Sequence, residues 1–517
     1  QNGQVPGADA KVLIPEGIAV TYGAVNNASL FTVRVDGVLD FATDHDSRML
    51  VDTMVVSPSG HLIMGTEDNP VRSNVNIDIV FADNGNIDTG WDPSLLSRGL
   101  LSHGSVTIHG EEKSSHVKVE VDAMAGDNRL TLSEVPDGWK VGDKLVLTGT
   151  HQQGWDWNND TRRVEKSESQ DEEVTIRSIN GNQIVLDQRL QYDHDTPRDD
   201  LKAYVANMTR NVTFSSEGGD DLPVHQRGHV MFMHSDDIDV RYAGFNDLGR
   251  TDKSRPAFDI NDLGGPGAVA TDANIQTRYP FHFHETGVTD LENPAMAVGN
   301  VVDGSPGWGY VHHSSNANFT NNVAFDVFGA AFVAEDGNET GIWYRNIAIN
   351  SDGVGYGDWT VKWQSDVDRG DNGRTGDGYF FAGRLVEAAE NVAANTTNGY
   401  VWLHRGDRDA VDFATSHHPE LGYGQTRSRV DQTPIQGFYD NEAFGTNTGI
   451  IVIKANPDQG HDVRSVFDGF LNWETREGIN ASYTSHYTFL NVDLVGQRAE
   501  NGGFSGATGA GVVFGTN

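Results

Sequence analysis

Asparagine recurs in this chain at the head of short apolar alternations: Asn321-Asn322-Val323-Ala324-Phe325, Asn346-Ile347-Ala348-Ile349-Asn350 and Asn391-Val392-Ala393-Ala394-Asn395. A turn-forming amide followed at strand spacing by apolar side chains suits stacked coils: the amide ladders from coil to coil and the apolar group fills the interior. Further units carry the same stamp, among them Val230-Met231-Phe232-Met233-His234, Tyr279-Pro280-Phe281-His282-Phe283-His284, Gly309-Tyr310-Val311-His312-His313, Gly378-Tyr379-Phe380-Phe381-Ala382 and Ile435-Gln436-Gly437-Phe438-Tyr439. From about Val212 onward the sequence therefore predicts a right-handed parallel β-helix. Its coils are irregular in length, so insertions such as 351–376 leave the stack as loops, and no helix longer than two or three turns is expected.

The earlier part reads as short strands and tight turns. Pro58-Ser59-Gly60 separates Met54-Val55-Val56-Ser57 from His61-Leu62-Ile63-Met64, and Asn180-Gly181 joins two alternating strands as a hairpin. The fold class predicted is all-β, with a β-rich N-terminal domain over residues 1–210 and the β-helix over 211–517. A polar loop carries Trp155 and Trp157, which either stack on sugar rings or pin the loop to the body.

Charge and cysteine usage narrow the functions. Asp+Glu 74 against Lys+Arg 37 gives a net charge of −37, spread along the chain, which disfavours nucleic acid and anionic membranes as partners. Local basic pockets can still bind an acidic substrate, because salt screens the mean field. Cys 0 removes disulfides, thiolate metal sites and cysteine nucleophiles. No apolar run is long enough to insert in a membrane. The polar start Gln1-Asn2-Gly3-Gln4 suits a mature terminus after export, so a secreted, extracellular or periplasmic monomer is expected. The excess of carboxylates also suits structural calcium sites.

Chemistry concentrates where three coils each carry a histidine: Met233-His234-Ser235-Asp236, Phe283-His284-Glu285-Thr286 and His312-His313-Ser314-Ser315. Side chains alternate between faces of a strand. With Met233, Phe283 and His312 pointing inward, His234, His284 and His313 point out as a column, and His282 and Arg278 share that outward parity. Coils stack about 4.8 Å apart, so three such imidazoles can converge on one divalent ion, zinc or another transition metal. A column of histidines can also do no more than hydrogen-bond on the surface. In the same groove, Glu335, His404, Arg405 and Lys454 fall in successive coils; Trp308 lies near the column, and Tyr483 and His486 come in the last coils.

Several of these segments resemble one family. The segment 37–67, ending in His61-Leu62-Ile63-Met64-Gly65-Thr66-Glu67, is similar to the eight-glycine domain of the cell-migration-inducing hyaluronidase, its transmembrane relative and fibrocystin. Arg278-Tyr279-Pro280-Phe281-His282-Phe283-His284 resembles the motif of the parallel β-helix that follows that domain. Trp139-Lys140-Val141-Gly142-Asp143, Gly307-Trp308-Gly309-Tyr310 and Glu335-Asp336-Gly337 also look like the family, and the likeness covers residues 30 to 350. The resemblance implies extracellular action on hyaluronan or another glycan.

The residues themselves permit two reactions on an anionic, uronate-containing or sulfated polysaccharide. In β-elimination a metal or arginine neutralises the uronate carboxylate and a His, Tyr or Lys removes the C5 proton. His282, His284, Arg278, Glu335 and His404 are the catalytic candidates; Arg405, Lys454, Trp308, Tyr483 and His486 the substrate-binding ones; His234, His284 and His313 the metal ligands. In hydrolysis two carboxylates flank the scissile bond, with Asp303, Asp326, Glu335 and Asp336 as candidates. A glycan-binding or adhesion module without catalysis and a calcium-using structural β-helix are the alternatives outside enzymes.

Overall fold

The computed structural model describes residues 5–159, 163–354, 371–403, 412–414, 427–429, 433–435, 437–453, 464–482, 484–496 and 510–515. Short strands dominate, and the helical segments among the described residues are 3-10 turns such as Ile260–Leu263. The chain forms two compact units, Gln1–Glu112 with Arg210–Asn316 and Lys113–Thr209 with Ala317–Asn517.

The first unit is a parallel β-helix with three faces. One face runs from Lys11–Ile14 through 32–35, 53–56, Gly99–Ser102, His229–Met233 and Phe281–Gly287 to Tyr310–Ser315, each strand parallel to the next. A second runs through Ala19–Tyr22, Val38–Phe41, His61–Met64, Ser105–His109, Ile238–Arg241 and Ala295–Val298. The third joins 47–51 to Ile77–Phe81, Val212–Ser216, Ala243–Asn246 and Val301–Ser305. The strands of 11–109 are thus themselves coils, and residue 210 is where the chain returns to them after residues 113–209. Glycine permits the tight turns between coils: a Cβ on Gly60 would lie 2.1 Å from the Val35 carbonyl oxygen, and one on Gly104 2.3 Å from that of Gly60.

Inside, like side chains sit over like. Phe214 stacks on Phe245 with ring centroids 5.2 Å apart, and Phe232 packs against Phe281 and Phe283. The coils of the second unit repeat the device with Phe332 over Tyr379 at 5.0 Å and Tyr379 over Tyr400 at 4.8 Å. Identical register from rung to rung lets broad apolar faces bury each other completely, the main favourable term in such a stack.

Residues 113–209 supply an antiparallel sheet ordered His116–Lys118, Tyr204–Asn207, Lys144–Leu147, Glu172–Asn180, Gln183–Leu186, Arg129–Thr131. Its hairpin turns one residue later than the sequence suggests: Asn180 pairs with Gln183, so Gly181 and Asn182 form the loop, and Gly181 takes φ +60. In the segment Trp139-Lys140-Val141-Gly142-Asp143 the chemistry is structural, since Asp143 is buried between the Lys113 ammonium at 2.8 Å and the Asn207 amide at 2.8 Å. Trp155 and Trp157 lie on the strand Trp155–Asn158, antiparallel to Arg163–Lys166.

The asparagine ladder expected from the sequence forms in the second unit. Asn346 Oδ1 accepts from the Asn322 backbone N–H at 3.0 Å and from its side-chain amide at 2.9 Å. Asn391 Oδ1 does the same for Asn346 at 3.0 and 2.9 Å, and Asn441 Oδ1 for Asn391 at 2.9 and 3.1 Å. The Asn346, Asn391 and Asn441 amides also donate to carbonyls of the rung before, those of Phe319 at 2.8 Å, Trp343 at 2.7 Å and Ala388 at 2.8 Å. The residue before each asparagine takes the left-handed conformation, with φ +55 at Asn321, +53 at Arg345, +53 at Glu390 and +49 at Asp440. One strained residue bends the chain, and the next satisfies the main-chain groups that the bend strips of partners.

Asn391→Ala removes both an acceptor and a donor from this buried corner. It is expected to destabilise the chain by on the order of 3 kcal/mol, because several buried polar groups are left unmade. The check is the midpoint of urea unfolding, which should fall for Asn391→Ala and hardly move for an exposed control such as Glu387→Ala.

Candidate metal and glycan site

The histidines gather on one wall of the first unit because of strand register. Phe283 pairs with His312 and His284 with His313, while Phe232 pairs with Phe283 and Met233 with His284. Phe283 and His312 are therefore the inward pair, and His282, His284 and His313 lie on the outer side. Met233 shares that outer parity, which corrects the sequence reading: it packs outside the coil with Leu101 and Met231. His234 comes one residue later, where an extended strand would turn it inward. A left-handed turn, φ +56, ends the strand there and leaves the side chain half-exposed near the column.

Ligand nitrogens of His282, His284 and His313 all lie within 4.8 Å of one another. His284 Nδ1 stands 2.9 Å from His313 Nδ1, and the His282 ring lies 5.0 Å from that of His284 and stacks at 5.8 Å on that of His313. His282 is wholly buried, and its Nδ1 stands 3.3 Å from the Thr277 carbonyl oxygen. A carbonyl can only accept, so Nδ1 carries the proton and Nε2 is the basic nitrogen, as in a metal-ligating histidine held by its second nitrogen. Burial, reinforced by His284 and His313, holds the His282 pKa well below the ordinary imidazole value. A neutral, oriented imidazole beside two others fits the donor set of zinc or a similar ion.

A second grouping shares His284: His234, His284 and Glu285 also bring ligand atoms within 4.8 Å. His103, which sequence reasoning missed, stacks on His234 with centroids 5.2 Å apart and places Nδ1 3.2 Å from that of His234. No nearby repeat flags His103, because it sits in an earlier coil at the end of Gly99–Ser102, well before the asparagine-marked stretch. Glu285, not among the candidates read from the sequence, lies within the strand Phe281–Gly287; its φ is +53, and its carboxylate stands 3.5 Å from His234.

Other predicted residues lie elsewhere. The Arg278 guanidinium donates to the carbonyls of Ser94, Leu95 and Gln276 at 2.7, 3.0 and 2.9 Å, and also to the Thr277 hydroxyl. Burial lowers its pKa to about 10, and it acts as a clasp on the loop of residues 94–95. Arg250 does the same, donating to Leu95 at 2.7 Å and Ser97 at 2.6 Å. Trp308 is 1 % exposed, stacked on Tyr279 at 4.8 Å with the Lys253 ammonium 3.8 Å above its ring. It therefore cannot receive a sugar; an apolar interior claims its large ring. His312 is buried in the coil and donates from Nε2 to the Ser315 carbonyl at 2.7 Å.

In the second unit Glu335 is buried directly after Phe332–Ala334, and Asp336 follows it. Asp326 is raised in pKa by burial and by Asp352, whereas Asp303 belongs to the first unit, paired with Asn246. His486 is half-buried, 3.0 Å from the Ser485 hydroxyl. His404, Arg405, Lys454 and Tyr483 lie outside the described residues.

A parallel β-helix with an outer histidine cluster is the class that fold and site define. Residues 1–120 match the G8 domain and residues 271–450 the CEMIP beta-helix, so the chain carries the two modules of the G8 and parallel β-helix proteins. A G8 domain-containing protein of Dictyostelium discoideum is 26% identical over 346 residues, covering 65% of this chain and 21% of that protein. Fibrocystin-L of Homo sapiens is 22% identical over 545 residues, covering 96% of this chain and 11% of that protein. The chain thus spans about a fifth or less of the length of these relatives. Among solved structures, a tailspike of Pseudomonas phage phi297 covers 91% of this chain and 67% of its own at 10% identity, with a TM-score of 0.19. So low a score adds nothing to the fold seen in the chain itself.

His229 supplies a pH test of this wall. It is buried, donates to the Leu96 carbonyl at 2.8 Å, and is held well below its ordinary pKa by burial and then by Arg250 and Arg278. The unfolded chain takes up this proton below about pH 6.5, and the folded chain does so only at much lower pH. Stability is therefore full above pH 6.5 and lost as pH falls, by about 1.4 kcal/mol per pH unit for one such proton. In thermal melts from pH 7.5 to 5, His229→Gln should lose less on acidification than the parent; equal losses would contradict the assignment.

Proposed function

We propose that this chain is the glycan-cleaving portion of an extracellular protein, and that it cleaves an anionic polysaccharide by metal-assisted β-elimination at the histidine cluster. One observation carries the reading: His282, His284 and His313, from two adjacent coils, bring their nitrogens within 4.8 Å of each other on the outer wall. The resemblance to the eight-glycine hyaluronidase family supports the substrate class. Among the described residues no helix is long and apolar enough to cross a membrane.

The residues divide the work as follows. His282, His284 and His313 would hold a zinc or similar ion, which would supply a positive charge for the uronate carboxylate and so acidify the proton at C5. That task falls to the ion because Arg278 already gives its donors to main-chain carbonyls. Arg278 serves as a positioning residue: it fixes the loop carrying Leu95, and the neighbouring Leu96 packs on Met231 and Met233 beside the cluster. His234 is half-exposed, with its ring 6.0 Å from that of His284, and would accept the C5 proton; as the C4=C5 bond forms, the C4–O bond to the leaving sugar breaks and the departing oxygen takes a proton from water. His103 stacks on it, and burial with the neighbouring His234 lowers the pKa of His103.

The reading is tested by incubation with glycosaminoglycans, alginate and sulfated algal glycans, followed at 235 nm and by reducing-end assay. Unsaturated product identifies elimination; new reducing ends without absorbance identify a hydrolase on the same polymers and overturn the mechanism. His284→Ala is expected to lower the rate about 100-fold or more, as ligand loss does, with little change in melting temperature. Full activity in that variant removes the site. Binding without any cleavage makes the chain a glycan-binding module instead.

A further inference from the structure

The second unit holds a cleft of about 610 Å³ that the histidine chemistry does not use. Its size falls in the range of small-molecule sites, roughly 300–1,000 Å³. Its floor is Glu442, 5 % exposed, whose carboxylate accepts from the Tyr204 hydroxyl at 2.7 Å, the Trp473 indole N–H at 2.8 Å and the Lys118 ammonium at 3.2 Å. The Lys118 ammonium also sits 4.9 Å over the Tyr204 ring. A buried ionic network at the bottom of an open cleft costs desolvation that an apolar floor would avoid.

The wall is built by the β-helix corner. Register aligns Tyr344 with Ala389, Ala389 with Tyr439, Tyr439 with Asp468 and Asp468 with Leu490. The next residue on each rung is Arg345, Glu390, Asp440, Gly469 and Asn491, and all five take positive φ and line the cleft. A left-handed corner needs only glycine or asparagine. Arginine and glutamate there carry a steric cost that the bend itself does not require. Across the cleft Arg198 is fixed by Asp200 at 2.6 and 2.8 Å and by Asp493 at 2.5 Å.

We infer that this cleft binds an uncharged saccharide segment. Planar carboxylates, amides and guanidinium groups held in fixed pairs offer the alternating donors and acceptors that neighbouring sugar hydroxyls need. A polyanion fits poorly: carboxylates lining the cleft, Glu442 included, number six against three Lys and Arg side chains, Lys118, Arg198 and Arg345, and each of those cations already faces a carboxylate. His116 stays neutral in the cleft, since burial, Arg345 and Lys118 lower its pKa to about 3, so it adds a hydrogen-bonding group without charge. The cleft belongs to the second unit and needs no metal, so the inference stands or falls separately from the histidine reading.

The experiment is isothermal titration of the whole chain with chitohexaose, cellohexaose, xylohexaose and hyaluronan hexasaccharide in chelator-containing buffer. Saturable binding of at least one neutral oligosaccharide is expected, weakened tenfold or more in both Arg345→Asn and Asp493→Ala. Both side chains are about half exposed, so the variants should keep the parent melting temperature. No binding by any neutral oligosaccharide overturns the inference, as does binding of the hyaluronan fragment alone. Neutral binding that survives both variants but is lost in His284→Ala assigns the sugar to the histidine cluster and also overturns it.

Discussion

One corner geometry governs much of this molecule. A rung turns through a single left-handed residue, and an asparagine straight after it returns hydrogen bonds to the exposed main chain and to the rung beside it. In the second unit Asn322, Asn346, Asn391 and Asn441 link in series through buried amides. In the first unit Asn300 plays the same part, accepting from Ala243 N–H and donating to the Val240 carbonyl, each at 2.9 Å. Because the amide must meet its copy on the next rung, register cannot slip. A one-residue slip would also turn every interior side chain outward.

Fixed register turns a one-dimensional sequence into a two-dimensional surface. On the first unit's outer wall it sets His284 beside His313 with His282 on the same side, although His284 and His313 are separated by 28 intervening residues. At the second unit's corner it stacks Arg345, Glu390, Asp440 and Asn491 along one cleft. Both places use positions the fold does not need for burial, the outward side chains of strands and the bend residues. The core stays free for stacked phenylalanines and tyrosines, while chemistry collects outside. This economy explains why so acidic a chain can still concentrate imidazoles in one spot.

The sequence made the coils legible because asparagine and apolar spacing report directly on turns and interior faces. Histidines at strand ends were legible too, and the pair His284 and His313 falls in one register. What misled was the strand end, where a single left-handed residue breaks the alternation on which parity depends. Met233 reads as interior and His234 as outward by counting; the ladder moves Met233 outside and leaves His234 on a turn. Arg278 reads as a site residue from its outward parity with His282, and Trp308 from the segment Gly307-Trp308-Gly309-Tyr310 that resembles the family. Their partners, main-chain carbonyls of a distant loop for one and Tyr279 with Lys253 for the other, are brought near only by tertiary folding. His103 stayed hidden for the same reason, and so did the place of residues 1–112 within the coil stack.

The account rests on three imidazoles from neighbouring rungs acting together on one ion. X-ray absorption at the zinc edge of the zinc-loaded chain examines this most directly. Three imidazole nitrogens at about 2.0–2.1 Å are predicted, falling to two in His313→Ala. A chain that takes up no zinc, or whose zinc keeps the same nitrogens in that variant, contradicts it.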